Sequence, residues 1–231
     1  MAPVLWSQFH GIRTISMPHQ SGRSMTKMIP PAPAQTAKRS LILVPIVHTL
    51  EDLGAQKDLV VRASLLKGGR MALKRKIEAI RELWERIERY VEGLQLRWEE
   101  VRIFQDALPV SGREKEIVTE LARAGSLNHQ LVLRLVERGA VLVGTESPKL
   151  LLAEYDMAKK TLESGGHRSK SSRGRGEADS ILTKRDQFIA NRINRILRPG
   201  ETGILFLGLL HSVEPFLEGD IEVVRPSLAG Q

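Results

Sequence analysis

Four short apolar runs in this sequence each lead into a residue able to bind a metal or move a proton. The run 41–47 ends at His48, 101–105 at Asp106, 140–143 leads through Gly144 and Thr145 to Glu146, and 203–210 ends at His211. Two imidazoles and one or two carboxylates suit a first-row divalent ion such as Zn, Mn, Fe or Co, because neutral His nitrogen and carboxylate oxygen are borderline ligands. The metal set expected is His48, His211 and Glu146, with Asp106 and Glu146 as candidate catalytic carboxylates. A bound ion would acidify its water, and a remaining carboxylate would serve as general base, which makes hydrolysis the natural reaction class. Without an ion, a His and carboxylate pair can still do acid–base work. Glu51, Asp52 and Glu214 follow closely enough to support such a site. Each position also has a plainer reading: an Asp or Glu after a strand often caps a helix, and a lone His is often only a hydrogen-bonded structural residue.

The elements that would position these groups are readable from periodicity. A continuous apolar run of this length is the pattern of a strand covered on both faces, provided Pro45 sits where no ladder donor is needed. Between the first two strands, Ile77, Ile80, Trp84, Ile87, Val91, Leu94 and Trp98 recur every three or four positions, which predicts one long amphipathic helix over about 71–98. Gly68-Gly69-Arg70 reads as the turn before it, since no phosphate-binding fingerprint surrounds those glycines. Helices are expected over about 113–124 and 127–138, with Gly139 as a C-cap, then over 148–163 with Ser147 as N-cap, and over 179–197. Ile221 begins a last short run, 221–224, expected at a sheet edge. Alternating strands and helices imply an α/β fold, a mostly parallel central sheet with helices packed on it. In such sheets ligands bind beyond the carboxyl ends of the strands, so the four polar groups should share one edge.

With 231 residues, the chain has room for one sizeable core. We expect a disordered basic tail over 1–40, a single α/β domain over 41–226 interrupted by a flexible basic loop at 164–178, and a short tail over 227–231. The N-terminal stretch is acid-free and Pro-rich, which also fits a targeting segment or a translation start further downstream. The formal charge of +8 arises entirely from 1–40 and from the Gly- and Ser-rich 164–178. The body should therefore be neutral and is not expected to bind nucleic acid specifically. Absence of cysteine excludes disulfides, cysteine-ligated metals and thiol nucleophiles, and is compatible with a reducing cytoplasm. No apolar run approaches the length of a membrane span, and no G-x-S-x-G elbow marks a serine hydrolase. Trp84 and Trp98 could pack inside the fold or across a homodimer.

The segment from Arg185-Asp186-Gln187-Phe188-Ile189-Ala190 to the strand ending Gly208-Leu209-Leu210-His211 resembles the TraB, Tiki and ChaN-like superfamily, which includes erythromycin esterases. That group pairs an R-D or R-N helix with a strand ending in G-x-x-H, and has an earlier strand ending in another G-x-x-H. His48 would be the earlier position, although Pro45 stands where the glycine belongs. The resemblance covers about 30 residues and implies a His and carboxylate site, with Arg185 positioning an anionic group or a site carboxylate. Two functions remain: a metal-dependent hydrolase acting on a small molecule or peptide, or a non-catalytic small-ligand-binding or regulatory module in the same crevice. In the second, Arg173 and Arg175 of the basic loop would cover an anion.

Overall fold

The computed structural model describes residues 38–49, 57–163 and 172–228. Its centre is a five-stranded, all-parallel sheet built from β1 (Arg39–Ile46), β2 (Val101–Gln105), β3 (Val141–Val143), β4 (Thr202–Gly208) and β5 (Ile221–Val224). Across the sheet the order is β3-β2-β4-β1-β5. The helices are α1 (Lys57–Glu92), α2 (Glu114–Arg123), α3 (Leu127–Glu137), α4 (Pro148–Glu163) and α5 (Ser172–Ile196).

The unbroken apolar runs have the cause proposed for them, because successive side chains enter two separate cores. Along β4, Ile204 and Phe206 meet Trp84, Ile87 and Val91 of α1 and Leu131 and Leu135 of α3. Leu205 and Leu207 point the other way, onto Ile189, Ala190 and Ile193 of α5. Crossovers toward the β3 edge carry α1, α2 and α3 on the first face, and the return from β3 to β4 carries α5 on the second. All therefore share one hand, the pattern imposed by twisted strands feeding right-handed helices. Pro45 costs no pairing on the β5 side, since β5 accompanies β1 only from Arg39 to Ile42.

Several boundaries differ from the expectation. Arg39 and Ser40 belong to β1, not to a tail. The buried Arg39 guanidinium is ion-paired to Asp220 and Glu218 and donates to the carbonyls of Asn194 and Leu197. Part of the charge attributed to a tail is thus a structural tie between β1, α5 and the approach to β5. The glycine pair before α1 is no terminus: helix extends to both sides of Gly69, whose φ of 70° and ψ of −179° make a non-helical break that glycine tolerates. At the other end α1 stops at Glu92, so Trp98 lies in a separate 3-10 turn, Trp98–Glu100. Trp84 and Trp98 are both buried in the chain's own core, with Arg138 stacked over the Trp98 ring at 4.1 Å. Helix α5 begins at Ser172, so 172–178 of the expected loop is helical; Gly174 and Gly176 suggested a loop because each costs about 1 kcal/mol in a helix interior, a penalty the packed length of α5 offsets. Residues 1–37, with His10 and His19, lie outside the described residues, as do Glu51, Asp52 and His167. No helix among the described residues is long and apolar enough to cross a membrane.

Candidate functional site

All four strand-end groups emerge at the carboxyl edge of the sheet: His48 after β1, Asp106 after β2, Glu146 after β3 and His211 after β4. The connection after β2 leaves toward β3, whereas that after β4 leaves toward β5. Adjacent strands whose exits diverge leave a crevice between them, the usual ligand position in an open parallel sheet.

Asp106 is the hub. Its backbone N–H continues the ladder to the Phe206 carbonyl at 2.9 Å, which fixes the carboxylate beside β4. Oδ2 accepts the Gly208 N–H at 2.9 Å and lies 3.3 Å from His48 Nε2. Oδ1 accepts from Arg185 Nη2 at 2.9 Å and lies 3.5 Å from His211 Nε2. A Cβ on Gly208 would sit 2.7 Å from Oδ2, so the glycine of G-x-x-H is needed for close approach of the carboxylate rather than for an unusual φ. The next residue, Ala107, has φ of 60°, a left-handed conformation uncommon for alanine and held beside the site.

Glu146 is positioned by backbone pairing beyond the sheet proper. Its N–H donates to Leu108 O, its carbonyl accepts from Val110 N, and it bridges in parallel to Pro109. The side chain is 0% exposed and is gripped by Arg185, with Nε 3.2 Å from one oxygen and Nη2 2.6 Å from the other. Arg185 Nη1 donates to Glu154 of α4 at 2.7 Å. Every guanidinium nitrogen is therefore engaged by a carboxylate.

Helix α5 also contributes Asp186, which the sequence analysis named only within the R-D motif and gave no role at the site. Its Oδ1 lies 2.6 Å from His211 Nδ1, and its Oδ2 accepts the Ser212 N–H at 3.0 Å. With Asp186 Oδ1 accepting from Nδ1–H, Nε2 is left facing Asp106, the arrangement that orients metal-bound and catalytic histidines. A signal did exist: Arg185 and Asp186 stand one helical turn before the buried Ile189 and Ala190, on the inward stripe of α5. For Glu154 no comparable pattern is present.

Electrostatics follow from burial and pairing. Burial pushes the Asp106 carboxyl up, yet the His48 bond and the charges of His211, His48 and Arg185 outweigh it and hold the group well below the usual aspartate range. For Glu146 burial prevails over the opposing Arg185 bond, and its carboxyl is raised. Burial disfavours charge on His211, but the Asp186 bond and the Asp106 charge raise it. Burial and the shared Arg185 thus act on the two carboxyls with opposite net results.

One ligand atom each from Asp106, Glu146 and His211 falls within 4.8 Å of the others, a group that could hold a metal ion. The gathered set thus contains Glu146 and His211 from the expected ligands and brings in Asp106, while His48, with a third of its side chain exposed, stands on the open side of Asp106. Above them opens a cavity of about 520 Å³ reaching His48, Asp106, Arg185 and His211. Comparison with family models, with curated proteins and with solved structures returned no match.

Proposed function

We propose that the chain is a metal-dependent hydrolase whose ion is held by Asp106, Glu146 and His211. The observation that carries this is the buried convergence of those three donors within 4.8 Å, delivered by three different strands to the edge where such folds bind ligands. The resemblance of Arg185-Asp186 and Gly208–His211 to the TraB, Tiki and ChaN-like group supports the same reading. A divalent ion there supplies Lewis acidity, polarising a carbonyl and acidifying water near neutral pH. The chain's own residues do the rest. Asp186 fixes the His211 ring with Nε2 toward the centre. Arg185 bridges Asp106 and Glu146 through Nη2, fixing their directions while offsetting part of their charge. His48, oriented by Asp106 and open to the cavity, is placed to hold or release a proton at the substrate.

The test is elemental analysis and Zn, Mn, Fe and Co titration of the untagged full chain beside Asp106→Asn and His211→Ala. We expect about one ion per chain in the parent and none in either variant, with melting showing that both still fold. A folded parent that binds none of the four ions overturns the metal reading. It would favour a metal-free acid–base site, for which a different observation already speaks: the Arg185 guanidinium itself bridges Asp106 and Glu146 as a cation. The binding-module alternative, in which Arg173 and Arg175 cover an anion, depends on side chains outside the described ones.

A further inference from the structure

The walls of the cavity above this site differ from its floor. Around the rim stand Leu182 of α5, Ala158 of α4, Val47 after β1, and Leu209 and Leu210 of the turn that joins β4 to His211. The two leucines are 68% and 83% exposed, although the turn they occupy, closed by the His211 N–H to the Gly208 carbonyl at 3.1 Å, is tied directly to the site. Apolar side chains held open at the mouth of a polar pocket are what an apolar ligand covers.

The floor is polar and largely paired within itself. Asp106 and Glu154 line it on either side of the Arg185 guanidinium, Glu146 lies buried behind the same guanidinium, and Asp186 pairs instead with His211. Each Arg185 nitrogen is engaged by a carboxylate, so the cation closest to the site is already committed and offers poor capture of a ligand anion.

We infer that the cavity takes an uncharged ester or amide whose acyl group is apolar, gripped between Leu182 and the Leu209-Leu210 turn. The inference rests on the hydrolase reading for the reaction, but the binding selectivity follows from walls and floor alone. Water adds across the acyl C–O or C–N bond, the bond breaks, and an acid with an alcohol or amine results.

Saturation-transfer NMR on the chelator-treated full chain tests this without requiring turnover, with hexanamide and acetamide as probes. Each fully buried methylene is worth about fourfold in affinity, so half-open walls should favour hexanamide over acetamide by about tenfold or more. Leu182→Asp should weaken hexanamide at least about fivefold while leaving the melting temperature and the metal stoichiometry unchanged. Equal affinity for hexanamide and acetamide, no binding of either probe, or an unaffected Leu182→Asp variant would each overturn the inference. Failure of metal to bind, with probe selectivity intact, would remove the hydrolase reading and leave this one standing.

Discussion

Arg185 concentrates the energetic risk of the site in one side chain. Its guanidinium serves Glu146, Asp106 and Glu154 at once, and Glu146 has no solvent to fall back on. Arg185→Met should lower stability by about 3–5 kcal/mol in urea unfolding, the cost of leaving a buried ion without its partner. Arg185→Lys should recover only part, because an ammonium cannot reproduce a planar fork directed three ways. A loss below about 1 kcal/mol for the Met variant would mean that Glu146 is not an anion in the fold. Gly208→Ala probes geometry rather than charge. The added methyl meets Asp106 Oδ2 at 2.7 Å and must displace it, so metal affinity should fall at least about tenfold for a stability cost of about 1–3 kcal/mol. Unchanged zinc titration in that variant would remove Asp106 from the ligand set.

At the scale of elements, α5 matters because two neighbouring residues serve opposite sides of one centre. Arg185 faces the carboxylates after β2 and β3, and Asp186 faces the histidine after β4. Asp186→Asn would replace a charged acceptor at His211 Nδ1 by a weaker neutral one, and we expect metal affinity to drop about 10–100-fold while the helix, anchored by Ile189 and Ile193, keeps the melting temperature nearly unchanged. Retained affinity would reduce Asp186 to a cap for the Ser212 N–H. This pairing also shows what the sequence could and could not convey. His48, Asp106, Glu146 and His211 were legible because each follows an apolar run whose end is visible in one dimension. Asp186 was not, because in a helix the difference between a wet and a site-facing position is an angle about the axis, read only against the buried residues one turn later. Likewise Trp98 continued the helical spacing of α1 but belongs to the next turn, since periodicity does not register the break at Gly93.

For the molecule as a whole, parallel topology and two-sided burial were legible, whereas strand order was not, because nothing local distinguishes a strand that pairs with its sequence neighbour from one inserted between two earlier strands. The sheet also separates function from scaffold. At the end opposite the site, Arg102 of β2 pairs with Glu201 just before β4, and the Arg102 bond is the main cause holding the Glu201 carboxyl below its ordinary range. A depressed acid contributes stability above its unfolded pKa, and that contribution disappears as pH falls through the folded value. The stability gap between the parent and Glu201→Gln should therefore be full near neutrality, of order 1 kcal/mol, and close on acidification below the ordinary glutamate range, with metal affinity at neutral pH unaffected. A gap independent of pH would assign the loss to packing. The insertion of β4 between β1 and β2 has a further consequence for biosynthesis. A ribosome delivers two apolar strands long before the one that joins them, so the nascent chain carries open edges while the segment between β2 and β4 emerges. Closure must await the late strand, which favours slow folding and makes the interval before residue 202 the period of greatest exposure to aggregation and to chaperones.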